Sequence, residues 1–174
     1  MHKKALIAGI GAIFCWSLMV GFLRLTTVNY GSELGIALIY TLGAVFLFLL
    51  DKPTPFKKIP RRYLLIGGVL FATYELFMAF AVGLAQDSFQ AIEVSILNYL
   101  WPTLTVLFWA VARKSGRAPA LFRVIPGAIF ATAGIVLAVG GSSLLAGAPF
   151  FTGSLWPYLL AISASIIWAI YSVA

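Results

Sequence analysis

The chain has 174 residues, of which 62% are hydrophobic and 10% are charged, and its mean hydropathy is +1.03. A water-soluble domain of this length needs far more charge to cover its surface, so the composition excludes the soluble class. The net charge of +7 does not indicate a nucleic-acid partner, because the basic residues lie in short segments beside long apolar runs.

Six apolar runs are long enough to cross a bilayer, since about 20 helical residues match a hydrocarbon core of roughly 30 Å. They cover residues 5–25, 34–50, 63–85, 92–112, 124–141 and 156–174. The first run is too long for a signal peptide, and no small-x-small cleavage site follows it. We therefore predict an all-α integral membrane protein, in which the single cysteine, Cys15, packs between helices.

The charged residues predict the side of the membrane on which each loop lies. Eleven of the 12 Lys and Arg residues precede the first run or follow the second and fourth, and only Arg24 lies near the other side. The opposite loops contain Glu33 and Asp87 and are predicted at 26–33, 86–91 and 142–155. The positive-inside rule then places the N-terminus in the cytoplasm. Contact with lipid headgroups is a second role for these basic residues.

The first and sixth runs resemble each other when they are aligned on their tryptophans. Gly9-Ile10-Gly11-Ala12 precedes Trp16 as Ala161-Ile162-Ser163-Ala164 precedes Trp168. The copies are five runs apart, an odd number, so the second enters the membrane from the opposite side, as in the inverted repeats of many secondary transporters. Small residues and Trp are common in membrane helices, so a chance match is the alternative.

The sixth run ends at Ala174 with no polar or basic flank. We therefore expect residues 1–155 to form a first repeat and residues 156–174 to be the opening helix of a second, in a natural protein that is longer than this chain. Within the fifth run, four small residues at helical spacing predict a packing ridge without a binding role: Gly127, Ala131, Gly134 and Ala138.

The fourth run carries a polar stripe. At 100° per residue one narrow arc holds Ser95, Asn98, Pro102 and Thr105, and Tyr99 and Trp101 flank it. Pro102 has no N–H and frees the Asn98 carbonyl, so a helix kink is expected there. Unpaired polar groups cost several kcal/mol in hydrocarbon. The stripe is therefore predicted to face a cavity or a polar helix. The alternative is a structural kink that neighbouring helices cover.

Two carboxylates lie within the runs. Glu75 is predicted near the bilayer centre, where an ionisable group is usually functional. It is open whether Glu75 binds a substrate ammonium group, carries a proton or hydrogen-bonds structurally as a neutral acid. Glu93 lies opposite the polar stripe and is predicted to reach the headgroups.

Several chemistries have no residues to support them. The only histidine is His2, which excludes a Ser-His-Asp triad and bis-histidine haem ligation within the membrane. The chain has no P-loop motif and no Cys/His/carboxylate cluster with metal-ligand spacing. We therefore predict a protein that is not an enzyme and has no cofactor, metal ion or nucleic-acid partner.

The stretch Glu93-Val94-Ser95-Ile96-Leu97-Asn98-Tyr99-Leu100-Trp101-Pro102-Thr103-Leu104-Thr105 resembles a known family. It is similar to the YddG-type aromatic amino acid exporters, in the EamA branch of the drug/metabolite transporter superfamily. Tyr74-Glu75 and Pro126-Gly127 through Gly134 fit the same family. Ala112-Arg113-Lys114-Ser115-Gly116-Arg117 lacks the acidic turn of many EamA proteins, which favours the YddG-type subgroup and leaves other substrates open.

The resemblance implies an EamA-type transporter fold, with ten helices in two inverted five-helix repeats, both termini cytoplasmic and a central cavity. It implies export of aromatic or other bulky apolar amino acids across the bacterial inner membrane by alternating access. The implied cavity wall is Trp16, Tyr74, Glu75, Met78, Ser95, Asn98, Tyr99, Trp101 and Trp168. The alternatives are an exporter of another metabolite or a cationic drug, and a non-transporting membrane scaffold. The oligomeric state is left open, and a monomer is compatible with the pattern.

Overall fold

The computed structural model describes residues 2–50, 58–113, 115–147, 151 and 153–174, and within them all side chains except those of residues 2–4, 142 and 144. The helices are α1 (His2–Tyr30), α2 (Ser32–Leu50), α3 (Gly68–Gly83, after a π-helical turn at Tyr63–Gly67), α4 (Ser88–Asn98), α5 (Leu100–Ala112), α6 (Arg117–Leu145) and α7 (Trp156–Val173). Four charged residues of the predicted basic loops lie outside the described residues: Asp51, Lys52, Lys57 and Lys114.

Six stretches of helix are long and apolar enough to cross a membrane, as predicted, with α4 and α5 sharing one stretch. Several helices extend past the predicted bounds: α1 continues to Tyr30, α4 begins at Ser88 and α6 begins at Arg117. An apolar run marks the part of a helix that lies in hydrocarbon, whereas the polar turns at its ends remain helical. The chain is an all-helical, multi-pass membrane protein.

The two ends of the helix bundle differ in charge. One end, here called the basic end, carries the described residues Lys58, Arg61, Arg62, Arg113, Arg117 and Arg123. The other, here called the Asp87 end, holds the tight connections at Gly31 and Asp87. Asp87 begins α4 as an N-cap, since its Oδ1 accepts the Gln90 backbone N–H at 2.7 Å. Arg24 donates from Nη1 to the Val82 carbonyl at 2.8 Å, which pairs a carbonyl at the end of α3.

The best-packed part of the bundle lies where α7 contacts α3, α4 and α5. Ala161, Ala164 and Ala169 of α7 are fully buried there, because small side chains let neighbouring helices approach closely. Val82 of α3 and Val94 of α4 are also fully buried in this region. The tight packing therefore joins the sixth membrane-spanning stretch to the third and fourth.

The α1 helix packs closely only near the Asp87 end. Leu23 and Thr27 are buried, whereas every side chain from Ala5 to Met19 is exposed. Residues 44–50 of α2 are likewise exposed. Within the described chain, the buried residues of α1 and α2 thus lie towards the Asp87 end.

Gly35 provides a test of the close packing between α1 and α2. A Cβ at this position would lie 3.2 Å from backbone atoms of Thr26 and Thr27, which cannot move aside as a side chain can. We expect Gly35→Ala to destabilise the protein by about 1–3 kcal/mol through overpacking. Gly43 lies on the same helix with nothing within 4 Å of its added Cβ. Gly43→Ala is therefore the matched control, and thermal unfolding in detergent is the measurement; equal unfolding temperatures for the two variants would contradict the prediction.

Candidate functional site

The fourth membrane-spanning stretch is interrupted at Tyr99, between α4 and α5. Tyr99 has φ −64° and ψ 4°, and its N–H donates to the Ile96 carbonyl at 3.0 Å, which is a tighter turn than an α-helix makes. Pro102 follows three residues later, where its ring would clash with the Asn98 carbonyl of a continuous helix. The interruption turns that carbonyl away from α5.

The Asn98 carbonyl meets a donor on α7. The Ser165 hydroxyl lies 3.0 Å from this carbonyl oxygen, 3.3 Å from Asn98 Oδ1 and 2.9 Å from the Ala161 carbonyl of its own helix. Its single proton can serve one of these acceptors at a time. Ser165 is fully buried, so the peptide group freed by Pro102 is paired across the interface with α7 rather than left in an apolar site.

The Asn98 side chain links α4 to α3. Its Nδ2 donates to the Tyr74 hydroxyl at 3.2 Å, and Tyr74 is 6% exposed. The half-buried Ser95 donates to the Ala91 carbonyl at 2.7 Å, one turn earlier in its own helix. The polar stripe of α4 is therefore held by neighbouring groups while one side of Ser95 and Asn98 borders a cavity.

Aromatic rings from four helices form a continuous cluster around this polar stripe. Trp101 of α5 connects two of its members, with ring centroids 6.4 Å from Trp16 of α1 and 6.1 Å from Trp168 of α7. Trp16 stacks on Trp101 at 29°, whereas Trp168 meets it edge-on at 77°. Trp168 also lies 4.5 Å from the Tyr74 ring of α3. The two tryptophans that align in the predicted repeat therefore contact the same residue.

A small cavity of about 40 Å³ adjoins the cluster. Its lining residues are Trp16, Met19, Val20, Tyr74, Met78, Ser95, Asn98, Tyr99 and Trp101. Seven of the nine residues predicted for the cavity wall therefore border one space. Trp168 does not line it and instead supports the rings that do. Small-molecule pockets usually measure about 300–1,000 Å³, so a bulky ligand requires the surrounding helices to move apart.

Glu75 is directed away from this cavity. Its carboxylate accepts a hydrogen bond from the Tyr40 hydroxyl, so it ties α3 to α2, and Glu75 is not among the cavity-lining residues. Pro102 also lies elsewhere, exposed in a groove between α5 and α6. The predicted arc assumed 100° per residue through the whole run, and the turn at Tyr99 breaks that register.

The prediction for Glu93 is wrong. Glu93 is 3% exposed and accepts a hydrogen bond from the Tyr158 hydroxyl of α7, instead of reaching the headgroups. One turn nearer the Asp87 end, the Gln90 Nε2 donates to the Ser154 carbonyl at 2.9 Å. The face of α4 that carries Glu93 is covered by Tyr158 of α7, a partner that lies far away in the sequence. These two contacts close the Asp87 end of the interface between α4 and α7.

Sequence reasoning missed several residues of the site and its surroundings. Met19 and Val20 follow Trp16 by about one helical turn, so they lie on the same side of α1 as Trp16. Helical spacing from Trp16 could therefore have identified them. Ser165 had a weaker signal: a freed carbonyl needs a donor from another helix, but nothing in the sequence shows which helix supplies it. The position of Tyr40 opposite Glu75 likewise depends on the packing of α2 against α3.

The chain is similar over nearly its whole length to three proteins named aromatic amino acid exporter YddG. It is 37% identical to that of Salmonella typhimurium in an alignment 172 residues long that covers 97% of this chain, and 38% identical to that of Escherichia coli in an alignment 174 residues long that covers 98%. It is 32% identical to that of Ancylobacter novellus in an alignment 185 residues long that covers 99% of the chain. In each case the chain spans 58% of the relative's length.

No protein-family profile matches the chain, and no solved structure matches it. The names of the relatives describe transporters. The six apolar stretches of this chain are compatible with a membrane transporter. The resemblance first seen at residues 93–105 thus extends over nearly the whole chain, which is similar to somewhat more than half the length of each YddG exporter.

Proposed function

We propose that the full-length protein exports aromatic and other bulky apolar amino acids across the bacterial inner membrane. The observation that carries the proposal is the aromatic cluster at mid-membrane, in which Trp101 lies between Trp16 and Trp168 beside the amide of Asn98. Flat apolar rings next to a hydrogen-bonding amide suit a substrate with an aromatic side chain and a polar backbone. The relatives named aromatic amino acid exporters support the same assignment.

In this proposal the aromatic ring of the substrate stacks among the tryptophans. The amino and carboxyl groups of the substrate form hydrogen bonds with Asn98, Ser95 and the hydroxyl of Tyr74. An aromatic pair contributes about 0.5–1.5 kcal/mol beyond the burial of area. Stacking depends little on ring substituents, so phenylalanine, tyrosine and tryptophan share the path. Further contacts come from helices beyond the six in this chain.

Transport proceeds by alternating access, with residues 1–155 as one repeat and α7 as the first helix of an inverted second repeat. The N-terminus and the basic end lie in the cytoplasm under the positive-inside rule. In this proposal the contacts Glu93–Tyr158 and Gln90–Ser154 lie on the side away from the cytoplasm.

The test is efflux of labelled phenylalanine and tryptophan from liposomes that contain the full-length protein. We expect saturable efflux that unlabelled aromatic amino acids inhibit and glycine does not. A hydrophobic monovalent cation serves as the competing substrate class. Efflux of the cation without efflux of amino acids would assign the protein to the alternative exporter class, and no efflux of either would favour the scaffold.

Variants of Glu75 distinguish further between these transport alternatives. Because Glu75 bonds to Tyr40 and does not line the cavity, we expect Glu75→Gln to keep the hydrogen bond, through its amide oxygen, and to change amino acid efflux less than twofold. Glu75→Leu removes the acceptor and is expected to lower the unfolding temperature. Initial efflux rates and thermal unfolding in detergent measure the two effects. A tenfold loss of efflux in the glutamine variant would show that the carboxylate charge acts on the substrate or on a proton.

A further inference from the structure

A groove runs between α5 and α6 on the side of the bundle away from α7. It has a volume of about 380 Å³ and is lined by Pro102, Thr103, Val106, Arg123, Val124, Gly127 and Ala128. Six of these seven residues are uncharged, and Arg123 is the only charged group. Gly127, the first residue of the small-residue ridge predicted for helix packing, lines this groove. The ridge is uncovered in the described chain, since a Cβ at Gly127 or Gly134 would have nothing within 4 Å.

Arg123 has no acidic neighbour in this part of the sequence. No Asp or Glu occurs after Glu93, so every charged residue of α5, α6 and the loop between them is basic. Arg123 lies six residues into α6, about 9 Å from its first residue along the helix axis at 1.5 Å per residue. Its apolar stem therefore lies against the groove while its guanidinium extends towards the headgroup level.

Beyond the groove, towards the basic end, α5 and α6 carry more positive charge. On α5, Val106 is followed at spacings of three and four residues by Trp109 and Arg113. The Arg113 guanidinium lies 4.8 Å from the centre of the exposed Trp109 ring. Tryptophan and arginine at this depth are typical of the membrane interface. Arg117 occupies the corresponding end of α6.

We propose that this groove binds an anionic phospholipid. The lipid phosphate pairs with Arg123, with Arg113 and Arg117 beside it, and one acyl chain lies along Val106, Val124 and Gly127. Basic pockets between membrane helices are known binding sites for anionic headgroups, and an unpaired arginine at this depth favours an anion over a zwitterion. Because Gly127 has no side chain, the groove has space there for an acyl chain.

The test uses the full-length protein purified in mild detergent and offered phosphatidylglycerol or phosphatidylcholine with identical acyl chains. Native mass spectrometry counts the retained lipid molecules. Arg123→Gln removes the charge, and Gly127→Leu adds a side chain to the groove at a position where an added Cβ would have nothing within 4 Å. The matched controls are Arg62→Gln, a charge removed at the same end but off this groove, and Gly134→Leu, the same substitution on α6 beyond the groove lining.

We expect one tightly retained phosphatidylglycerol, and at least fivefold less retention in both Arg123→Gln and Gly127→Leu than in either control. Equal losses for Arg123→Gln and Arg62→Gln would overturn the proposal in favour of diffuse attraction to the basic end. Equal retention of phosphatidylcholine would overturn the choice of headgroup. Unchanged retention in Gly127→Leu would overturn the placement of the acyl chain in this groove. None of these measurements depends on transport, so the lipid-binding proposal is tested independently of the proposed export activity.

Discussion

Trp101→Ala is expected to reduce the efflux of phenylalanine and tryptophan at least tenfold. Trp101 contacts the rings of both Trp16 and Trp168 and borders the cavity. Its removal eliminates two ring contacts of about 0.5–1.5 kcal/mol each, together with the surface on which a substrate ring stacks. A loss of 1.4 kcal/mol corresponds to a factor of ten. Initial rates from liposomes with equal amounts of protein measure the effect.

Two further variants separate stacking from folding. Trp156→Ala removes a tryptophan that is 68% exposed, outside the ring cluster, and is expected to leave efflux within twofold of wild type. Trp101→Phe retains a flat ring and is expected to preserve a substantial part of the activity. If Trp101→Ala folds normally and transports at the wild-type rate, the aromatic cluster is not the substrate site.

Ser165→Ala is expected to destabilise the protein by about 1–3 kcal/mol. The Ser165 hydroxyl lies within hydrogen-bonding distance of the Asn98 carbonyl, which Pro102 prevents from pairing within its own helix. Alanine leaves that carbonyl buried without the donor from α7, and an unpaired buried acceptor carries a desolvation cost of this size. Thermal unfolding in detergent gives the measurement. Ser172→Ala is the control, since the Ser172 hydroxyl is exposed and bonds within α7 to the Trp168 carbonyl.

A double-mutant cycle with Pro102 identifies the cause. In Pro102→Ala the restored N–H can donate to the Asn98 carbonyl, because the two residues are four positions apart. Ser165→Ala should then destabilise the Pro102→Ala protein by no more than half as much as it destabilises the wild type. Strictly additive effects would mean that Ser165 stabilises the helix interface without pairing the freed carbonyl.

The membrane class and the number of membrane-spanning stretches could be predicted from the sequence, because both depend on the length and hydropathy of local segments. The nine wall residues were implied by the family resemblance, and seven of them border one space. Helical spacing in the fourth run had placed Ser95 and Asn98 on one arc.

The errors arose where the outcome depends on a distant helix. Glu93 was assigned to the headgroups because its side of α4 carried no other polar residue, whereas Tyr158 of α7 covers it. The direction of Glu75 depended on Tyr40 of α2. Periodicity identifies the faces of one helix but does not show which helix packs on each face. Helical phase also cannot be carried across an interruption such as Tyr99, which is why Pro102 lies in the lipid-facing groove.

The contacts of α7 have a consequence for biosynthesis. The carbonyl of Asn98 and the side chains of Gln90 and Glu93 receive partners from residues 154–165, which the ribosome adds much later. At about 5–20 residues per second, the interval between the two segments is on the order of several seconds. During that interval α4 and α5 have no α7 beside them, and polar backbone is costly in lipid. Until α7 has been synthesised, the insertion machinery therefore has to hold α4 and α5 in contact with water or with its own surface.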